Sequence, residues 1–292
     1  MSTQTDPFEK NPENTYVLDS ESAAEMARLL DQGRLVTETM GGFFPEDFDL
    51  SNIHDVLDIA CGPGEWVHGV AHTYPHINVT GIDISNRMID YANAHAQVRH
   101  LHNTHFEVRD ALKLQDFAEE SFDFINARTL VCFMQPAAWP RLVQQCMRLL
   151  RPGGYIRLTE AEWGICNKFA FEDYAGKINM ALRKANMSLS PTGLHMGITA
   201  MLARYLKDAG CQDIQRAAYV IDYSAGEKAH GGYMQDLKIG FKQIQPFLAQ
   251  VGVVPSLEAA EDLYQQVLAD MEDPDFCSIS YLLSVWGAKP AA

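Results

Sequence analysis

Three aspartates, Asp58, Asp83 and Asp110, each close a short β-rich run, and the first two lie 25 positions apart. At the C-terminal tip of a parallel strand a carboxylate faces the edge of an open α/β sheet where ligands bind. The first lies in Val56-Leu57-Asp58-Ile59-Ala60-Cys61-Gly62-Pro63-Gly64-Glu65-Trp66, a hydrophobic strand running through a glycine-containing turn into a helix. Glycine lets backbone approach a ligand closely, because no Cβ intervenes. Asp58 can accept a hydrogen bond from a ligand's amino group or balance its positive charge. Asp83, in Gly81-Ile82-Asp83-Ile84-Ser85, can accept both hydrogens of a ribose diol. Asp110, in Val108-Arg109-Asp110-Ala111, offers an acceptor to an adenine amino group. An adenosine-containing ligand is implied. A dinucleotide fits poorly: Gly62-x-Gly64 lacks a third glycine at Val67, and Asp58 puts negative charge where a pyrophosphate would lie. Any one of these aspartates could simply cap a turn or helix; three in series make the ligand reading the better one.

The elements that must carry them follow from periodicity. From His54 short β-rich runs alternate with helical stretches, the signature of a parallel sheet covered on both faces. Strands are predicted at 55–59, 78–82, 104–109, 122–126 and 155–160, and helices at 65–73, 85–98 and 137–150. Arg151-Pro152-Gly153-Gly154 turns the last helix into the fifth strand. The expected fold class is α/β: a Rossmann-like, doubly wound, mostly parallel sheet with an antiparallel last strand and helical cap insertions. The chain divides into a tail and helical cap (1–50), a core (51–160), an aromatic lid (161–194), a continuation of the core (195–223), a helical insertion (224–276) and a final strand (277–292). In the cap, Asp19 or Ser20 starts a helix whose apolar positions are Ala23, Met26, Ala27 and Leu30. In the insertion, helices at 232–245 and 256–271 are expected, with Pro246 stopping the first.

Composition narrows the function classes. With 292 residues, 47% hydrophobic and 21% charged, the chain can bury one large core and carries no apolar run able to span a bilayer. Its opening residues lack the basic start and apolar stretch of a secretory signal, so a soluble, cytoplasmic protein is expected. A formal charge of −15 disfavours nucleic-acid partners, and the three arginines between Arg148 and Arg157 read as ordinary surface. Six scattered cysteines, without a Cys-x-x-Cys pair, point to reduced thiols and no metal site.

The run from Asp58 to Gly64, Asp83, the Arg109-Asp110-Ala111 step, the Phe122-Asp123 strand and the Leu150-Arg151-Pro152-Gly153-Gly154 turn, in this order, resemble class I methyltransferases dependent on S-adenosylmethionine (SAM). The likeness is to the branch acting on quinones, sterols and microbial natural products, and it covers about residues 54–160, with weaker support from Val285 to Pro290. It implies that Asp58 and the backbone of Ala60, Gly62, Pro63 and Gly64 hold the methionine end and Asp83 the ribose. Ile84 and Met88 then flank the adenine face, and Asp110 with the Ala111 amide its edge. Asn126, Ala127 and Arg128 pass beside the sulfonium. The family's first loop glycine is Ala60 here, where a positive φ is less accessible. Tyr16, Gln32 and Arg34 are placed by the resemblance as a cap over the cofactor, with Arg34 able to meet a carboxylate bidentately.

The acceptor side is less sharply marked. Phe133, Trp163, Phe169 and Tyr174, with Phe171 and Met134, are candidate pocket residues because insertions at this sheet edge cover the site in similar enzymes; composition alone favours core roles. His195 and Glu160 are the candidate bases, with His230 and Glu162 behind them. The expected reaction is in-line transfer of a methyl group to O, N or C of a small organic molecule, leaving S-adenosylhomocysteine. Methylation of a protein or RNA, or a fold relative that binds SAM yet rearranges or cyclises its substrate, are the alternatives. A homo-oligomer is compatible with an exposed N-terminal helix.

Overall fold

The structure, a computed structural model, describes residues 22–291. Tyr16, and the expected caps Asp19 and Ser20, lie outside the described residues. In chain order the elements are α1 (Ala23–Thr39), β1 (Asp55–Ile59), α2 (Glu65–Thr73), β2 (Asn78–Asp83), α3 (Asn86–Val98), β3 (Thr104–Val108), β4 (Phe122–Arg128), α4 (Trp139–Leu149), β5 (Leu150–Ala161), β6 (Ile165–Cys166), α5 (Phe169–Lys184), α6 (Leu202–Asp208), β7 (Gln212–Asp222), α7 (His230–Gln250), α8 (Leu257–Glu272) and β8 (Ser278–Ala288). The sheet runs β3-β2-β1-β4-β5-β8, with β7 on the far side of β8 and the short β6 pairing the start of β8. Strands β1 to β5 pair in parallel, and β8 enters antiparallel to β5. This is the expected Rossmann-like sheet. Chain order reverses between β1 and β4, which opens a crevice at their C-terminal tips.

The central strands are apolar because helices cover both faces. In β4, six of seven residues are buried, and Val56, Leu57 and Ile59 of β1 are fully so. Across this sheet runs a polar row: Gly81, Asp58, Asn126 and Arg157 are register partners on consecutive strands. Arg157 is 1% exposed and lies over the rings of Trp66 and Phe124, so reading it as ordinary surface is corrected. Arg148 and Arg151 are likewise engaged, by the Phe117 and Leu114 carbonyls and by Asp123 and Asp55.

Two helices depart from their patterns. In α1 the inward face carries Glu25 and Arg28, while Ala23 and Ala27 are exposed. Met26 and Leu30 are half-buried, because the innermost positions of this turn go to the charged side chains that meet α7. Pro246 does not stop α7, which continues to Gln250. The turn beyond it buries Leu248 completely, and that burial offsets the one hydrogen bond proline cannot donate. Among the described residues no helix is long and apolar enough to cross a membrane.

Candidate active site

The C-terminal tips of β1, β2 and β4 open into one cavity of about 1030 Å³. A single-ligand pocket occupies roughly 300–1,000 Å³, so there is room for a nucleoside-sized molecule and a second compound.

One end is built from the loop between β1 and α2. Ala60 turns it with φ +55°, Gly62 with φ +54° and Gly64 with φ +81°. Gly64 has no substitute: a Cβ there would lie 2.8 Å from the Phe106 ring and 2.9 Å from His68. Ala60 occupies the left-handed region that favours glycine, at a cost of about 1–2 kcal/mol. Ala60→Gly is therefore expected to stabilise the protein by up to about 1 kcal/mol, because relief of strain is partly offset by unfolded-state entropy; urea unfolding of both proteins measures it, and a less stable variant would refute the strain assignment. His68, fully buried under this loop, meets the Ala92 carbonyl through Nε2 and His95 through Nδ1. Burial holds its imidazole down to about 4.

Asp83 ties the loop to β2. Its Oδ2 accepts from the Gly62 amide and its Oδ1 from the Ser85 amide, both at 2.9 Å. Asp58 lies deeper, 4% exposed, and accepts 2.7 Å from Asn126 Nδ2, whose own Oδ1 accepts from Arg157 Nε. Burial pushes the Asp58 carboxyl up to about 6, against the opposing pull of Arg128, the Asn126 hydrogen bond and Arg157. Glu65, raised by burial too, has a buried Oε2 with no hydrogen-bond partner and stands 3.9 Å from Arg128. Arg128 also donates to Thr37 of α1. Asp110 accepts from the Leu112 amide.

Of the residues expected to contact the cofactor, Asp58, Ala60, Gly62, Pro63, Asp83, Ile84, Met88, Asp110, Ala111, Arg128, Gln32 and Arg34 line this cavity. Gly64, Asn126 and Ala127 do not; they shape it from behind, and the Asn126 amide is spent between Asp58 and Arg157. On the acceptor side Phe133 and Trp163 line the cavity, and the Trp163 indole Nε1 is buried without a partner. Phe169 is 85% exposed, at the first turn of α5, and Tyr174 is buried in the core, stacked on Phe241 with its hydroxyl donating to the Phe241 carbonyl. Neither lines the cavity.

The two candidate bases are also elsewhere. His195 is exposed and outside the cavity. The fully buried Glu160 accepts from the Leu130 and Val131 amides, so it holds the turn after β4 instead of facing a ligand; burial pushes its carboxyl up to about 8. Glu162 does line the cavity, but accepts from the Met196 and Gly197 amides and the Thr199 hydroxyl. His230 gives its Nδ1 to the Tyr223 carbonyl. Sequence reasoning missed Arg28 of α1, Tyr223 just after β7, and Tyr233 and Asp236 of the helical insertion, all on the cavity wall. A charged pair whose members stand about 200 positions apart leaves no local pattern. Among the described residues no group of three side chains is arranged to hold a metal ion.

This geometry has relatives. The family described as "Methyltransferase domain" matches residues 56–154. Phosphoethanolamine N-methyltransferase 3 of Arabidopsis thaliana is 32% identical over 117 residues, 40% of this chain and 23% of that protein. Methyltransferase grgD of a Penicillium species is 27% identical over 176 residues, 59% of each. The matched regions thus span less than two thirds of either relative. A phosphoethanolamine N-methyltransferase 2 from Haemonchus contortus, solved with phosphomonomethylethanolamine and S-adenosylhomocysteine, superimposes with a TM-score of 0.53 at 16% identity, over 93% of this chain and 58% of that one, and so shares the fold. The segment from 56 to 154, with its glycine turn and strand-tip acids, matches a methyltransferase domain, and the chain shares a Rossmann-like fold with that methyltransferase.

Proposed function

We propose that this protein is a SAM-dependent methyltransferase acting on a small organic molecule, working as a soluble enzyme of the cytoplasm. The observation that carries the reading is the convergence of Asp58, Asp83 and Asp110 on one cavity whose opposite wall is apolar and aromatic.

The residues present suit SAM. Its methionine end carries two positive charges and one negative. The loop end of the cavity presents Asp58, Glu65 and Arg128, the reverse balance, and Glu65 Oε2 is a buried acceptor that makes no hydrogen bond and faces Arg128 only at 3.9 Å. Asp83 would take the ribose hydroxyls, Ile84 and Met88 the adenine face, and Asp110 with the Ala111 amide its edge. Gln32 and Arg34 of α1 would cover the methionine end. When bound, SAM supplies a methyl group already activated by its sulfonium. The chain's own work is then to align the acceptor and exclude water. Glu160 fixes the turn after β4 against which the acceptor docks, and α1 and α7 wall the cavity from above.

A deep, largely apolar cavity favours a small molecule over a protein or RNA, and the charge of −15 opposes RNA further. Calorimetry with SAM and with NAD, followed by detection of S-adenosylhomocysteine after incubation with candidate acceptors, tests the assignment. SAM is expected to bind and NAD to bind weakly or not at all; the opposite order would overturn it. SAM binding without formation of S-adenosylhomocysteine would favour a rearranging or cyclising relative.

A further inference from the structure

The acceptor half of the cavity holds a buried charged pair that nothing above employs. Arg28 of α1 and Asp236 of α7 meet on its wall, Nη1 to Oδ1 at 2.8 Å. Arg28 is clamped from the other side by Glu25, which accepts from Nε at 2.8 Å and from Nη2 at 2.6 Å. Glu25 is fully buried and does not reach the cavity; Asp236 lines it, with 18% of its side chain exposed. Around them the wall is apolar: Tyr223 and Tyr233, stacked face to face, then Leu237 and Phe241. A buried triad of this kind contributes little stability compared with packed hydrophobic side chains. Its presence on a cavity wall calls for a ligand.

The turn of α1 that carries Arg28 borders the cofactor loop. Cys132, in the turn after β4, lines the same cavity as Arg28 and Asp236. Leu29, next to Arg28, lies 3.7 Å from the position of a Cβ on Gly62, so this turn of α1 also touches the cofactor loop. Of the other carboxylates on the wall, Glu162 is taken up by two amides and a hydroxyl, and Asp58 and Glu65 stand at the loop end; Asp222 and Glu227 also line it, but both are solvent-exposed, and Asp222 accepts from the Ser224 amide.

We propose that Asp236 is the proton acceptor of the transfer, oriented by Arg28, and that the acceptor molecule is an apolar, ring-sized body carrying one hydroxyl or amine. This rests on the methyltransferase reading. The acceptor's O–H or N–H donates to the Asp236 carboxylate. As its lone pair forms the bond to the methyl carbon, the carbon–sulfur bond breaks with its electron pair going to sulfur, and the proton passes to Asp236 and from there to water. Arg28 keeps the carboxylate ionised and aimed, and Glu25 keeps Arg28 in place; both are positioning residues. Burial pushes the Asp236 carboxyl up, against the opposing charge of Arg28, so its basicity exceeds that of a solvated carboxylate.

The test uses the protein saturated with S-adenosylhomocysteine and three probes of nearly one shape: naphthol, naphthylamine and methylnaphthalene, substituted at the same ring position. Binding is read by calorimetry. Wild type is expected to bind the naphthol and the amine about 10-fold more tightly than the methyl compound, which has no hydrogen to donate to the carboxylate. Asp236→Leu leaves Arg28 paired with Glu25 and should remove the preference while retaining S-adenosylhomocysteine, and Asp236→Glu should restore it. Equal affinities in wild type, no binding of any probe to protein that holds S-adenosylhomocysteine, or an undiminished preference in Asp236→Leu would each overturn the proposal, and the wild-type comparison stands even where a variant fails to fold. Failure to bind S-adenosylhomocysteine at all would instead refute the methyltransferase reading, and this proposal with it.

Discussion

Replacing Asp83 by alanine is expected to lower SAM affinity at least about 100-fold, because each hydrogen bond from a ribose hydroxyl to a carboxylate contributes roughly 1.5–3 kcal/mol. Calorimetric titration of both proteins measures it. The loss has a second source. Asp83 also accepts from the Gly62 and Ser85 amides, so its removal loosens the turn that holds the methionine end. Asp83→Asn separates the two: it retains an acceptor for one amide and should lose less affinity than the alanine variant. Unchanged SAM binding in Asp83→Ala would mean that the ribose does not lie against β2.

The cofactor half of the site was legible because it is local. Asp58, Ala60, Gly62 and Pro63 lie within six residues, and each strand-tip acid follows its own hydrophobic run, so the spacing that makes the fold also makes the site. Strand β1 and helix α2 have the predicted bounds for the same reason. The acceptor half is assembled from α1, the segment after β5 and α7, whose contacts no single window contains. The aromatic residues illustrate this: Phe133 and Trp163 line the cavity, whereas Tyr174, identical in kind, is consumed by packing on Phe241. Arg157 is the harder case. Inside the predicted fifth strand but grouped with Arg148 and Arg151, it reads as surface, and only the register that sets it beside Asn126 shows it to be the far end of a buried row.

That row yields the other large effect. Asp58 is a carboxylate held in a buried site, and its folded value of about 6 exceeds the ordinary 3.8. The folded state therefore binds a proton more readily than the unfolded chain, and stability falls as pH rises from near 4 to near 6. Above that window the ionised group costs on the order of 3 kcal/mol relative to its protonated form. Asp58→Asn keeps the shape and an oxygen for Asn126, and removes the charge. At pH 7.5 the ligand-free variant is expected to be more stable than wild type by on the order of 2–3 kcal/mol, with the difference shrinking towards pH 4. His68 acts in the opposite sense over an overlapping range: its folded value of about 4 lies below the usual 6.5, so it withdraws stability as pH falls from 6.5 to about 4. The two proteins must therefore be compared at each pH, where the histidine contribution cancels. SAM affinity should move the other way. The destabilising charge is the one that a cationic ligand relieves, so Asp58→Asn should bind SAM at least about 10-fold more weakly at neutral pH, and wild-type binding should release a proton near pH 6 and weaken below it. Urea unfolding and calorimetry in buffers of different ionisation enthalpy read both halves. A variant that is no more stable than wild type at pH 7.5, yet still folds and binds SAM normally, would show that Asp58 is neither strained by its burial nor relieved by the cofactor.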